Sequence, residues 1–318
     1  MDTRLTKLFG IKHPILSAPM ANHSGGRLAG AVSAAGALGT FGAAGKPVEW
    51  LKGEIALVRS QTDAPFGVGF ITHRLEQDAA LFDAALQEGV PVIAFSFADP
   101  RPWIDRARDA GCKTVCQVQS MERAREAVEA GADVLAVQGV EAGGHTGGTA
   151  MMPLLEQVLD AFPDVPVIAS GGIGSGRSLA AVLAAGADGA WMGTRFLATD
   201  EAVEVSQAHK DVIVRSDGTD TAFTPIWDEL LDSVWPQGIA GRGYANAFYR
   251  EWEGRERELA DRLPYVRQEW QKRREADPIE QGAVWMGLSA GAVHSVLPAS
   301  QVIEDVMAEA ERLLGRWK

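Results

Sequence analysis

The sequence predicts an α/β protein, a closed (β/α)8 barrel that carries a smaller helical insertion. Short apolar runs alternate with longer amphipathic runs from residue 14 to about residue 197, which is the pattern of strand and helix units. The apolar runs number eight, and most are apolar throughout, as expected for parallel strands buried on both faces. An open doubly wound sheet has the same local pattern, but the count of eight favours the barrel.

The eight predicted strands are separated by helical segments, several of which end in glycine. The strands are expected at residues 15–18, 38–41, 66–71, 91–97, 113–118, 134–137, 166–170 and 189–193. Gly89, Gly111, Gly131 and Gly186 each follow a helical run and precede a strand, where glycine supplies the left-handed conformation that ends a helix. The first three of these glycines recur at intervals of 22 and 20 residues, about one strand and helix unit each.

The composition of the chain changes after residue 200. Residues 201–280 lack strand-like runs and are rich in Trp, Arg and Glu, so they are predicted to form a helical insertion that acts as a lid. Residues 298–318 have an amphipathic pattern that predicts a helix closing the barrel. The predicted barrel domain is therefore residues 1–200 together with 281–318.

Composition and charge exclude several classes of protein. Of the 318 residues, 46% are hydrophobic and 23% are charged, which excludes a largely disordered chain. The 30 Lys and Arg against 42 Asp and Glu give a net charge of −12, which argues against nucleic acid as a partner. No apolar signal region and no run near the ~18 apolar residues of a membrane span is present, so a cytoplasmic protein without a membrane partner is expected. Cys112 and Cys116 share one predicted strand, roughly 13 Å apart, which is too far for a disulfide.

Glycines concentrate at the ends of the last two predicted strands, where barrel enzymes most often bind phosphate. The loops read Ser170-Gly171-Gly172 and Met192-Gly193-Thr194. Main chain without side chains can approach a phosphate closely, and its N–H groups can donate to the phosphate oxygens. A dinucleotide fingerprint fails because Arg177 and Leu179 stand where it requires glycine, so a bound mononucleotide is predicted.

His145 is the predicted catalytic residue because it lies in the glycine-rich loop 138–148 that follows the sixth strand. An imidazole there would face the barrel mouth, as a general acid or base or as a contact for an anion. His23 and His73 also follow strands, and for both a structural role and a place in the same cavity stay open. Glu141 is four residues from His145, but the loop is a poor helix and supplies no third ligand, so no metal site is expected.

Four segments of the chain resemble the nitronate monooxygenase family, formerly called 2-nitropropane dioxygenases. They are Ala18-Pro19-Met20, the loop from Glu141 to His145, Ala169 to Ile173, and Met192 to Phe196. The likeness covers most of the chain, including the insertion. It implies a TIM barrel that binds FMN and acts as an oxidoreductase. The same superfamily includes flavin-dependent NAD(P)H:quinone reductases and the flavin type of bacterial enoyl-ACP reductase.

The resemblance implies a role for sixteen residues of this chain. His145 would be catalytic, the turn from Pro19 to Ala21 would back the isoalloxazine ring, and the two glycine-rich strand ends would bind the phosphate. The implied FMN-binding residues are Ala18, Pro19, Met20, Ala21, Gly69, Gln117, Gln138, Gly143, Gly144, Ser170, Gly171, Gly172, Met192, Gly193 and Thr194. Two positions depart from the family pattern, since relatives commonly have Asn at Gly69 and some have Lys at Gln117.

The reaction implied by the resemblance is oxidation of an alkyl nitronate by O2 to a carbonyl compound and nitrite, without a nicotinamide. His145 would orient the nitronate or remove the α proton of a neutral nitroalkane. Two alternatives stay open: NAD(P)H-dependent reduction of quinones or enoyl thioesters, and a catalytically inactive barrel that binds a phosphorylated ligand. A homodimer also stays open.

Overall fold

Eight parallel strands form a closed barrel in the computed structural model, which describes residues 1–317. The strands of the chain are β1 (Ile15–Ser17), β2 (Gly39–Gly42), β3 (Phe66–Ile71), β4 (Val92–Ser96), β5 (Lys113–Val118), β6 (Val134–Gln138), β7 (Gly144–Thr146), β8 (Val167–Ser170), β9 (Gly189–Met192), β10 (Thr221–Thr224) and β11 (Ala240–Tyr244). The barrel order is β1-β9-β8-β6-β5-β4-β3-β2. A bond of 3.0 Å from the N–H of Ser17 to the carbonyl of Leu38 joins β1 to the segment entering β2. The predicted barrel is therefore confirmed, with every predicted strand present.

Helices surround the barrel and build the insertion. They are α1 (Arg4–Phe9), α2 (Gly26–Ala34), α3 (Val48–Gln61), α4 (Thr72–Leu75), α5 (Ala80–Gln87), α6 (Arg101–Asp109), α7 (Met121–Glu129), α8 (Met151–Ala161), α9 (Gly176–Ala184), α10 (Thr194–Leu197), α11 (Gln207–Arg215), α12 (Ile226–Leu231), α13 (Ala247–Trp252), α14 (Glu256–Asp261), α15 (Leu263–Ala276), α16 (Pro278–Gln281) and α17 (Ala299–Leu314). Gly89, Gly111, Gly131 and Gly186 have φ of 65°, 80°, 85° and 105°, the left-handed conformation predicted from the sequence. None of the helices in residues 1–317 has the length and apolarity needed to span a membrane.

The inside of the barrel is filled with apolar side chains and is capped by α1. Leu16, Leu38 and Trp191 lie in this inner core together with Leu5 and Phe9 of α1. An ion pair of 2.8 Å between Arg4 and Asp188 fixes α1 at the end where the strands begin. The N-terminal end of the barrel is thereby closed, so a ligand must enter at the C-terminal end.

Helix α17 completes the ring of helices after the insertion, as the sequence predicts. It packs against α9 and α2 and buries Val302, Ile303 and Val306. The contact with α9 is close because Gly176 begins that helix. A Cβ at Gly176 would lie 2.3 Å from the carbonyl oxygen of Val306, so any side chain there would push the two helices apart.

The insertion has its own apolar core and is not wholly helical. The core contains Trp227, Phe248 and Trp270. Strands β10 and β11 pair antiparallel, and β11 also pairs with β7 from the loop that follows β6. The sequence does not predict these strands because β10 has only four residues and β11 contains two glycines, which weaken a strand. Pairing with neighbouring strands outweighs these weak local preferences.

Candidate active site

A pocket opens at the C-terminal ends of the barrel strands. It is lined by His145 and by fourteen of the fifteen residues predicted to bind a cofactor. These fourteen are Ala18, Pro19, Met20, Ala21, Gly69, Gln117, Gln138, Gly143, Gly144, Ser170, Gly171, Gly172, Gly193 and Thr194. Met192 is not among the lining residues, because successive side chains of a strand point to opposite faces and Met192 lies in the core outside the barrel. Its neighbour Trp191 lines the pocket instead.

Bare main chain forms one side of the pocket at the ends of β8 and β9. Gly171 and Gly172 have φ of 94° and 74°, which L side chains rarely adopt. A Cβ at Gly171 would lie 3.0 Å from the backbone nitrogen of Ala142. Among the described residues, the N–H groups of Gly172 and Gly193 have no protein acceptor. These residues fit a phosphate, which needs N–H donors that side chains do not cover.

Three glutamines form a hydrogen-bonded chain, and two of them, Gln117 and Gln138, line the pocket. The Gln119 side-chain nitrogen donates to the side-chain oxygens of Gln138 at 2.9 Å and Gln117 at 3.3 Å. Gln138 in turn donates to the backbone carbonyl of His145 at 3.1 Å. The Gln117 amide nitrogen has no protein acceptor among residues 1–317 and can donate to a ligand. Sequence reasoning missed Gln119, although its spacing of two from Gln117 places both on one face of an extended segment.

His145 is held in the pocket by side chains from the insertion. Its Nε2 lies 2.7 Å from Oδ1 of Asp228, and the two side chains are 15% and 9% exposed. The indole of Trp235 stacks on the imidazole, with ring centroids 3.6 Å apart and an angle of 15° between the planes. Trp285 contacts the same ring at a centroid distance of 5.2 Å. The other ring nitrogen, Nδ1, has no protein partner among the described residues and is not sealed from solvent.

The insertion places Asp228 and Trp235 through local hydrogen bonds and packing. Helix α12 begins after Pro225, and Asp228 lies in its first turn. Trp227 anchors this helix in the core of the insertion. The indole N–H of Trp235 donates to Oγ of Ser233 at 3.0 Å. Sequence reasoning assigns no role to Asp228 or Trp235, because the contact between Asp228 and His145 joins residues 83 positions apart and leaves no local motif.

Among residues 1–317, Arg74 is the single Lys or Arg that lines the pocket. Its Nη2 donates to Oγ of Ser233 at 3.2 Å, and its guanidinium lies 5.6 Å from the ring centroid of Trp235. Within residues 1–317 it forms no ion pair with a carboxylate. Its charge is therefore free to attract an anionic ligand.

Two other histidines close to the pocket, His23 and His209, have lowered pKa values. His23 lines the pocket, and its ring meets the ring of His209 edge-on at 5.6 Å. Burial lowers the pKa of His23 and, together with the repulsion of His23, lowers the pKa of His209 to about 4. His73 does not line the pocket; its ring lies edge-on to Trp235 at 5.3 Å. Within residues 1–317, no group of three or more His, Cys, Asp or Glu could hold a metal ion.

Comparison with known proteins finds one matching family and relatives with several activities. The model of the nitronate monooxygenase family matches residues 2–82 and 74–309. A (3aS,4S,5R,7aS)-5-hydroxy-7a-methyl-1-oxo-octahydro-1H-indene-4-carboxyl-CoA dehydrogenase from Mycobacterium tuberculosis is 40% identical over 262 residues, which cover 78% of this chain and 72% of that protein.

Two solved structures superpose on nearly the whole chain. FabK from Thermotoga maritima is 34% identical, with a TM-score of 0.86 over 100% of this chain and 98% of FabK. A nitroalkane oxidase from Streptomyces ansochromogenes is 32% identical, with a TM-score of 0.82 over 99% of each chain. The matches confirm the predicted fold and family resemblance.

Proposed function

The chain belongs to the nitronate monooxygenase family, and from this premise we propose that it is an FMN-dependent nitronate monooxygenase. The substrate would be an alkyl nitronate, oxidised with O2 to a carbonyl compound and nitrite. One observation supports the proposal most directly: an imidazole paired with a carboxylate lies in the same pocket as two glycine-rich strand ends. The residues of the pocket and the family membership both support an oxidoreductase that binds a flavin and transfers a proton.

The residues of the pocket fit FMN. Gly171, Gly172 and Gly193 would hold the phosphate through uncovered N–H groups, and Gln117 would donate a hydrogen bond to the flavin. Gly69 lets Pro19 pack directly against β3, since a Cβ at Gly69 would lie 2.4 Å from the proline ring. When bound, FMN supplies the electron transfer with the substrate and O2.

The side chains of the chain itself would bind the substrate and handle its proton. Arg74 would attract the anionic nitronate. Trp235 and Trp285 would shield the faces of the His145 ring from water, because both rings contact the imidazole. His145 would remove the α proton when the substrate is a neutral nitroalkane.

A second candidate function is FMN-dependent reduction of a quinone or an enoyl thioester by NADH or NADPH. The relative that is 40% identical is named for a substrate attached to coenzyme A, and this favours a thioester. The imidazole of His145 suits either chemistry, because it can accept a proton from the α carbon of a nitroalkane or donate one to the substrate during reduction. The two functions differ in the electron donor.

The visible spectrum of the purified protein tests both candidates. Under the proposal the protein is yellow, and without oxygen a nitronate bleaches the flavin whereas NADH and NADPH do not. Rapid bleaching by a nicotinamide alone would favour the reductase, and a protein without flavin absorbance would overturn both. His145→Ala is expected to keep the flavin spectrum and to lose most turnover; unchanged turnover would remove His145 from the mechanism.

A further inference from the structure

We propose that Asp228 fixes the tautomer and orientation of His145, so that Nδ1 and not Nε2 is the atom that accepts the proton of the substrate. Asp228 would then be a positioning residue that acts through His145. The identity of the proton, from the α carbon of a nitroalkane, rests on the proposed function. The assignment of the tautomer depends only on contacts among the described residues and not on the proposed function.

The tautomer follows from the contact of 2.7 Å between Nε2 of His145 and Oδ1 of Asp228. An ionised carboxylate can only accept hydrogen bonds, and a neutral imidazole carries one N–H. The N–H must therefore be at Nε2, which leaves the lone pair at Nδ1. This atom has no protein partner among the described residues and is not sealed from solvent, so it is open to the pocket.

The surroundings of the ring hold this orientation. Trp235 stacks on the imidazole at 3.6 Å, and β7 pairs with β11 so that His145 lies opposite Gly241. A half-turn of the ring about the Cβ–Cγ bond would place the carbon Cε1 where Nε2 lies and break the contact with Asp228. The Asp228 carboxylate is buried and has no other side-chain partner in residues 1–317, so losing this contact would leave a buried charge unpaired.

The proton transfer involves only the nitroalkane, His145 and Asp228, and needs no further reactant. The C–H bond of the nitroalkane breaks, its electron pair stays on the substrate to form the nitronate anion, and the proton bonds to Nδ1. His145 becomes an imidazolium that donates from Nε2 to the Asp228 carboxylate. The carboxylate thus stabilises the cation that forms, while its own protonation state does not change.

The tautomer can be measured directly by 15N NMR on the FMN-loaded protein with labelled histidine. The His145 signals are assigned as those missing from His145→Gln. We expect an N–H at Nε2 and a bare nitrogen at Nδ1. A proton on Nδ1 together with a bare Nε2 would overturn the proposal. This measurement needs no turnover, so it stands apart from the proposed function.

Kinetics of Asp228→Asn test the positioning role. The matched control is Asp232→Asn, because Asp232 lies four residues along the same segment and its side chain is 87% exposed. For a neutral nitroalkane we expect kcat to fall roughly 10²-fold to 10⁴-fold, the usual contribution of a general base, with KM little changed. For the preformed nitronate of the same skeleton we expect less than a threefold loss, because no proton must be removed.

Each outcome of the kinetic comparison has one meaning. Equal losses on both substrates, or no loss on either, would overturn the positioning role of Asp228. If the unmodified protein oxidises neither substrate, the proposed function fails while the NMR result still decides the tautomer. Flavin content and the melting temperature of Asp228→Asn are measured beside the control, and the NMR of the unmodified protein stands if the variant does not fold.

Discussion

Gly171 shows how one missing side chain shapes the pocket. Its φ of 94° and the nearby backbone nitrogen of Ala142, 3.0 Å from where a Cβ would lie, both exclude larger residues. The glycine-rich strand ends could be recognised from the sequence, because consecutive glycines form a local motif. The partner of His145 could not be recognised, because Asp228 meets it only after the insertion folds.

Gly171→Ala is expected to weaken FMN binding by at least about tenfold, or 1.4 kcal/mol. Alanine in the left-handed region costs about 1–2 kcal/mol, and its Cβ would push the loop away from the phosphate position. Titration of the apoprotein with FMN measures the change. Gly148→Ala is the control, since Gly148 has no atoms within 4 Å of a Cβ. Equal affinity of the two variants would contradict the proposed phosphate position.

Arg74→Gln is expected to raise KM for anionic nitronates about tenfold, with a smaller effect on neutral nitroalkanes. The physical reason is the loss of a cationic side chain that lines the pocket. Steady-state kinetics at two salt concentrations measure the effect, which should shrink as salt screens the charge. Arg125→Gln removes the same charge from an exposed position of α7 and should leave KM unchanged. A similar rise for both substrates would mean that Arg74 acts only through packing.

At the scale of elements, strand β11 connects the insertion to the segment that carries His145. Its pairing with β7 places Gly241 opposite His145. The barrel strands were predictable because parallel strands buried on both faces are apolar throughout. Strands β7, β10 and β11 were not, because they are short or rich in glycine and are formed only by their mutual pairing.

Gly241→Ala is expected to destabilise the protein by about 1–3 kcal/mol, the usual cost of overpacking. The new Cβ would lie 2.4 Å from the ring of Trp285, which would have to move away from His145. Urea unfolding measures the free energy. Gly53→Ala is the contrasting change, because Gly53 lies inside α3 with nothing within 4 Å and should gain about 0.5–1 kcal/mol. A Gly241→Ala protein as stable as the parent would show that Trp285 does not restrict this position.

At the scale of the whole molecule, stability is expected to fall as the pH drops from 6.5 towards 4. Burial lowers the pKa of His209 to about 4 from its usual 6.5. Between these values the unfolded chain binds a proton at this residue and the folded chain does not. The contribution is fully present above pH 6.5 and, at 1.36 kcal/mol per pKa unit, about 3 kcal/mol is lost once the pH is below 4.

His209→Gln isolates this contribution from that of the carboxylates, which also titrate at low pH. The free energy of unfolding in urea, measured at several pH values, should decline less steeply between pH 6.5 and 4 in this variant. His294→Gln changes an exposed histidine and should leave the slope as it is. Identical slopes in the two variants would show that His209 does not control the acid sensitivity.

The sequence predicted the barrel and its closing helix, but not which side chains from the segment after residue 200 contact His145. Periodic burial reveals a barrel because every strand repeats the same pattern. The contribution of the insertion could not be predicted, since Asp228 and Trp235 lie in segments with ordinary helical or loop composition. The fold brings both side chains into contact with His145, which no local sequence motif indicates.

The late position of α17 has a consequence for synthesis on the ribosome. Helices α2 and α9 emerge early, but the helix that packs between them begins only at Ala299, beyond the entire insertion. The nascent barrel must therefore wait, with an apolar seam open to water, until this segment leaves the exit tunnel. During that interval the seam is the surface on which we expect chaperones to act.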